Sequence, residues 1–166
     1  MVMKERNHLP MYGVGPIYAA VIIVLTVFGI ALSVLHIIPV FKVTIITGLL
    51  RIIGAIFIMS GLYMWYMAVF KAKIDDGILD NHLVTTGVYA WVRNPIYSAF
   101  LMACTGALMI YGNLYLFVLP FVYWAFLTVL MKNTEEKWLK ELYGKKYEVY
   151  CKCTNRCIPW KRGSGR

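Results

Sequence analysis

Four long runs of apolar residues leave this 166-residue chain few ways to fold. The first extends from about Ile17 to Ile38 without a charge. The second extends from Val43 to Phe70 and carries one charge, Arg51. The third covers Ile96 to Tyr111 and the fourth Leu114 to Met131. A helix needs about 20 apolar residues to cross a bilayer. The first run has that length, and the second exceeds it and is expected to tilt or protrude. The third and fourth are short, and only Gly112 and Asn113 separate them. They are expected to form a helical hairpin, with a re-entrant pair as the alternative. At 60% hydrophobic residues and a mean hydropathy of +0.65, a soluble domain of this size could not bury its own apolar surface. The expected fold is therefore all-α, an integral membrane protein in one domain. It would have about four transmembrane helices (17–38, 43–70, 96–111 and 114–131) and a cytoplasmic C-terminal helical segment.

The first run is longer than a signal-peptide core, and no small-residue cleavage site follows it, so it is expected to be retained as a span. The C-terminus carries no prenylation box, and the chain is not expected to be prenylated itself.

Charge gives the orientation. With four spans, 15 of the 17 basic residues fall on one side of the membrane. Lys42 is in an opposite loop and Arg51 is within a span. The positive-inside rule places both termini in the cytoplasm. All eight acidic residues fall on the same side. The net charge of +9 is then explained by topology and anionic headgroups, without nucleic acid as a partner. Two segments, 71–95 and 132–160, carry most of the polar residues on that side. Any polar chemistry is expected between them, at the cytoplasmic interface.

Beyond Met131 the helix is expected to continue through Trp138, Leu139, Leu142 and Tyr143, with Gly144 as its C-cap. Within it Glu136 and Lys140 are spaced to pair at i,i+4. Cys104 reads as a small apolar residue in a span. Cys151, Cys153 and Cys157 form a C-x-C-x3-C cluster, unlike the paired spacing of zinc sites and without an evident fourth ligand, so reduced thiols and no metal are expected. Arg51 reads either as a functional intramembrane charge or as a side chain snorkelling to the outer interface. His36 and His82 read as incidental.

Soluble nucleotide motifs are missing: there is no G-x-G-x-x-G following a strand and no Walker loop. The two polar segments instead share a split pattern. The first reads Leu83-Val84-Thr85-Thr86-Gly87-Val88-Tyr89, then Arg93-Asn94-Pro95-Ile96-Tyr97. The second reads Glu135-Glu136-x-x-Leu139, then Gly144-x-x-Tyr147-x-x-Tyr150 and Ile158-Pro159. Over roughly residues 80–160 this resembles the isoprenylcysteine carboxyl methyltransferase family, with its bacterial and phospholipid N-methyltransferase relatives. That family typically shows G-x-Y, R-H-P-x-Y, E-E-x-x-L and G-x-x-Y-x-x-Y. Asn94 stands at the His position, which removes an ionisable imidazole but leaves a hydrogen-bonding amide.

The resemblance implies S-adenosylmethionine as methyl donor, held between the hairpin and the C-terminal segment. It also implies a lipophilic acceptor reaching the site from the bilayer. The residues implied as catalytic are Arg93, Glu135 and Glu136. Those implied at the cofactor are Leu83, Val84, Gly87, Tyr89, Asn94, Tyr97, Tyr147 and Tyr150. Each also has a plain structural reading. Arg93 could be a positive-inside anchor, the tyrosines interfacial aromatics, and the glutamates solvated. Pro95 suits the first turn of a helix. Two other functions fit the same topology. One is a lipid or sterol reductase using a nicotinamide cofactor, for which R-H-P-N-Y and a nearby acid would be expected instead of Ile96 and Ser98-Ala99-Phe100. The other is a non-catalytic transporter or assembly protein, for which more polar spans would be expected.

The orientation is open to a direct check. A membrane-impermeant protease added to intact cells is expected to spare tags at both termini and to cut them after permeabilisation. Cleavage of one tag alone in intact cells overturns the even span count, and cleavage of both overturns the orientation.

Overall fold

The computed structural model describes residues 13–71 and 83–159. Among these there are six α-helices: α1 (Gly15–Val34), α2 (Thr44–Tyr66), α3 (Pro95–Tyr111), α4 (Val118–Asn133), α5 (Glu135–Tyr143) and α6 (Lys145–Cys153). A π-helical turn, Met67–Lys71, prolongs α2, and 3-10 turns at Gly87–Ala90 and Leu114–Phe117 lead into α3 and α4. Among the described residues no strand forms beyond a single parallel bridge between Val92 and Asn155. The chain is an all-α membrane protein. Three helical runs, Gly15–Val34, Thr44–Lys71 and Leu114–Tyr143, are long and apolar enough to cross a bilayer. The fourth, α3, has 17 residues. At 1.5 Å per residue it reaches about 25 Å, a little short of the ~30 Å hydrocarbon layer.

The four long helices alternate in direction. Gly54 of α2 faces Gly106 of α3, and Gly61 faces Ala99, so α2 and α3 run antiparallel along a seam of small residues seven apart. A Cβ on Gly54 would lie 2.6 Å from the Gly106 carbonyl oxygen, and one on Gly61 would lie 2.8 Å from that of Ala99. Backbones can approach this closely only without side chains between them, and small residues are the usual means of helix association in lipid. α1 packs on the other flank of α3, with Gly15 beside the Tyr97 hydroxyl and Ser33 beside Tyr111. Residues 13–15, 66–71, 87–94 and 134–159 consequently share one end of the bundle.

Burial follows the solvent. The core holds Tyr18, Ile22, Leu108, Leu116, Tyr123, Leu127 and Met131, while Ile45 is 93% and Phe121 72% exposed on the outer surface. Outward apolar side chains of this kind suit acyl chains, not water. Several polar groups inside are paired, as lipid favours. The Thr26 hydroxyl bonds that of Tyr123 at 2.8 Å, and the Tyr18 hydroxyl donates to the Tyr123 carbonyl. At the far end Asn113, fully buried, uses its whole hydrogen-bonding capacity. Its Nδ2 donates to Ser33 Oγ and the Pro39 carbonyl, and its Oδ1 accepts from the Phe41 and Tyr115 amides. One side chain thus ties α1, the α1–α2 loop and the α3–α4 turn together.

The first helix closes at Val34, within the apolar run that continues to Ile38. Here His36 turns to φ +57, and Ile38 precedes Pro39, where helical geometry is disfavoured. Two expectations further along the chain are corrected. The helix after Met131 does not run on unbroken. It stops at Thr134 (φ −125°, ψ −93°), whose hydroxyl donates to the Leu130 carbonyl at 2.6 Å, and restarts at Glu135. Side-chain bonding of this kind competes with the helical ladder. Glu136 and Lys140 do not pair: Lys140 meets Glu148 at 2.9 Å, and Glu136 turns inward to two arginines. Gly144 does close α5, its amide donating to Lys140 O, and its φ of +52° is one that glycine adopts freely.

The seam predicts that Gly106→Leu lowers stability by about 1–3 kcal/mol or more, as overpacking against backbone does. In detergent this reads as a clear fall in melting temperature. Gly48→Leu, at a position with open space, serves as the control and is expected to melt like the parent.

Candidate functional site

The polar end is built from two chain segments pinned side by side. Pro95 begins α3 at its first turn, and Asn94 before it is non-helical at φ −125°, ψ 65°. Residues 92–94 lie extended against 155–156, just past the end of α6. The Arg93 amide donates to the Asn155 carbonyl at 2.8 Å, and the Asn94 amide to the Arg156 carbonyl at 3.0 Å. The Asn94 side chain adds a second bond to Arg156 O at 3.1 Å. Nearby, the Tyr150 hydroxyl donates to the Tyr89 carbonyl at 2.6 Å.

Ion pairs complete the joint. Arg156 grips Glu136 with both prongs, Nε to Oε1 at 2.6 Å and Nη2 to Oε2 at 2.9 Å. Arg93 approaches the same carboxylate from the other side, Nη2 to Oε1 at 3.3 Å. These side chains are 10% (Arg93), 16% (Glu136) and 19% (Arg156) exposed. The other Arg93 prong, Nη1, meets neutral groups, the Tyr147 hydroxyl at 3.4 Å and the Cys151 thiol. The guanidinium carbon also lies 5.9 Å from the Tyr147 ring centroid, within cation–π range. Tyr147, Tyr150 and Cys151 fall at i, i+3 and i+4 on α6, so that one helix face delivers Tyr147 and Cys151 to Arg93 and Tyr150 to the Tyr89 carbonyl.

Of the residues singled out from sequence, Arg93, Asn94, Glu136, Tyr89, Tyr147 and Tyr150 come together here. Glu135 and Tyr97 form a second, adjoining pair. The Tyr97 hydroxyl donates to Glu135, and the same carboxylate oxygen accepts the Val14 amide at 3.0 Å. Glu135 therefore caps the start of α1 from another helix, at an end where unpaired amides and the helix dipole favour an anion. Leu83 and Val84 are half-buried on the approach to Tyr89, and Gly87 is exposed at φ +62° with open space beside it. Arg51 and His36 are exposed, far along the bundle. His82 lies outside the described residues. Arg156 and Cys151 were not anticipated; local periodicity gives no sign of a pairing that spans sixty residues.

An open cleft of ≈ 390 Å³ adjoins this cluster, lined by Glu136, Lys140, Tyr147, Glu148, Cys151 and Lys152. Its size falls within the range of small-molecule sites, and its wall offers both charge signs and an aromatic face. Burial pushes the phenols of Tyr147 and Tyr150 up, with Arg93 pulling back, so both are neutral donors at physiological pH. Burial likewise pushes the Cys151 thiol up, again against the pull of Arg93.

Comparison with known proteins places the pattern. Residues 43–146 match the family model described as phospholipid methyltransferase. The protein-S-isoprenylcysteine O-methyltransferase of Schizosaccharomyces pombe is 38% identical over 81 residues, 48% of this chain and 34% of that protein. That of Saccharomyces cerevisiae is 30% identical over 122 residues, 67% of this chain and 49% of that protein. The matches thus take in about half or less of these relatives' length. No solved structure matches the chain.

The thiol gives a test of the geometry. Cys151 borders an open cleft yet sits where burial disfavours the thiolate, the reactive form. Its alkylation by iodoacetamide, followed by mass spectrometry, is expected to be slower at pH 7 than that of free cysteine. It is also expected to keep rising with pH after the free thiol has levelled off. A rate at pH 7 equal to that of free cysteine contradicts this placement.

Proposed function

The chain belongs to the phospholipid methyltransferase family, and from that premise we propose that it transfers a methyl group from S-adenosylmethionine to a lipophilic acceptor carrying a carboxylate. The observation that carries this reading is the polar end itself. Two arginines share one carboxylate there, beside a cleft, at the same end as the start of α1 and the end of α2. The curated relatives are named for O-methylation of isoprenylcysteine, a group with a carboxylate at one end and an apolar chain at the other. Such an acceptor can keep its tail among the outward apolar side chains while its head reaches Arg93.

The residues present suit the donor. Its amino-acid end is zwitterionic, and the cleft wall carries side chains of both charge signs. The Tyr147 face suits a sulfonium or an adenine ring. When bound, S-adenosylmethionine supplies an electrophilic methyl group on a positively charged sulfur. Arg93 orients the acceptor carboxylate by a charge-assisted hydrogen bond. Glu136 positions Arg93. Glu135 holds Tyr97 and the start of α1, so the wall on that side stays in place. A carboxylate is nucleophilic when ionised and needs no general base, and neither glutamate is free to act as one. The role of the chain is alignment, which alone can contribute a large rate factor. We place these residues on the cytoplasmic side, where the basic residues gather.

The test is transfer of radiolabelled methyl from S-adenosylmethionine to N-acetyl-S-farnesylcysteine by the purified protein in detergent or nanodiscs. Alkali-labile label in the lipid fraction is expected from the parent. Arg93→Ala is expected to lose at least about a hundredfold in kcat/KM, which corresponds to ~2.7 kcal/mol. Label that resists alkali and appears only with an amine-bearing phospholipid acceptor overturns the carboxylate assignment. Full activity in Arg93→Ala overturns the site.

A further inference from the structure

The Arg93–Glu136–Arg156 cluster is unbalanced: two guanidinium groups share one carboxylate, all three being largely enclosed. Among the described residues at the cleft, Lys140 and Glu148 pair with each other at 2.9 Å, Lys152 is a further cation, and Glu135 is engaged by Tyr97 and the Val14 amide. A net positive charge held out of water is costly unless an anion completes it. The two arginines are also not equivalent. Arg156 engages both oxygens of Glu136 at 2.6 and 2.9 Å. Arg93 has one longer contact at 3.3 Å, spends Nη1 on neutral partners, and keeps a buried Nε with no hydrogen-bond partner. Arg156 thus holds the closer, two-pronged share of the carboxylate, and Arg93 is the less fully compensated of the two cations.

We propose that Arg156 is a positioning residue that takes up both oxygens of Glu136 and leaves Arg93 a single longer contact with it, so that Arg93 keeps hydrogen-bonding capacity and charge for the carboxylate of a bound ligand. The inference rests on the methyl-transfer reading and deepens it. Without Arg156, Glu136 has a single guanidinium left within reach. It would close on Arg93 and form the two-pronged pair that this side chain otherwise offers to a ligand. The cation would then be neutralised from within. The location of Arg156 makes it a fixed support: its own carbonyl accepts two bonds from Asn94, adjacent to Arg93. The ligand carboxylate could belong to the amino-acid end of the donor or to the acceptor, and the chemistry at Arg93 is the same.

Two ligand pairs separate these sources. S-adenosylhomocysteine and methylthioadenosine differ by the donor's amino-acid end. N-acetyl-S-farnesylcysteine and its methyl ester differ by the acceptor's charge. Calorimetric affinities for all four are measured on the full chain and on Arg156→Met, Arg156→Lys and the double variant Glu136→Gln/Arg156→Met, each first shown to melt cooperatively in detergent. The parent is expected to favour the carboxylate-bearing member of at least one pair, which names the source. Arg156→Met is expected to lose that preference tenfold or more. Arg156→Lys is expected to keep most of it. The double variant, which removes the competing carboxylate together with its partner, is expected to regain it. A merely structural role moves stability and leaves the ratio alone, or makes the double variant the weakest of all; either result overturns the proposal. Binding of S-adenosylhomocysteine without a carboxylate preference in either pair also overturns it, with the methyl-transfer reading intact. Failure of the parent to bind any of the four at millimolar concentration defeats that reading itself.

Discussion

A single carboxylate, that of Glu136, joins three stretches of chain that are far apart in sequence: the lead-in to α3, the first turn of α5 and the segment after α6. α5 and α6 are short, nine residues each, and helices of that length have little stability alone. Their position depends on what their side chains reach. Glu136 ties α5 to Arg93 and Arg156, and the backbone bonds from Arg93 and Asn94 hold the end of the chain beside α3. Removing one member of such a buried set leaves its partners as uncompensated charges, a larger loss than any single bond. The polar end is therefore a cooperative unit, in which the ion pairs, the bridge at Val92 and the Tyr150–Tyr89 bond stand together.

The two glutamates next to each other in sequence divide the labour. Consecutive residues on a helix point about 100° apart, so Glu135 and Glu136 face different neighbours by geometry alone. Glu135 faces α1 and Tyr97 and fixes the membrane part of the wall. Glu136 faces the arginines and sets their charge. A doubled acid at the start of α5 is thus not a redundant pair, and exchanging either for glutamine acts on a different part of the site. The same position at the first turn of α5 is one where the helix dipole favours negative charge.

Much of this was legible in the sequence, because lipid leaves few choices. Four apolar runs gave four helices, the Gly112–Asn113 break gave the hairpin, and Pro95 gave the start of α3. The split motif brought Arg93, Asn94, Glu136, Tyr89, Tyr147 and Tyr150 to one place. What escaped depends on distant pairing. Nothing local distinguishes Arg156 from the other cations of the tail, and its role arises only when 155–156 lies against 93–94. The i,i+4 spacing of Glu136 and Lys140 was real, but a pair worth a few tenths of a kcal/mol on an exposed helix lost to two enclosed guanidinium groups. The stop at Thr134 was hidden for a similar reason: periodicity continues across it, while the hydroxyl bond and the inward pull of Glu135 redirect the chain.

The buried amide of Asn113 makes the two ends of the bundle unlike. It fastens α1, the α1–α2 loop and the α3–α4 turn at one end of the bundle, while the opposite end is held by ionisable side chains and a cleft. The bonds at that tip are made by neutral groups and persist whatever the protonation state of the other end, where Glu135 and Glu136 hold α1, α3 and α5 through ionisable side chains.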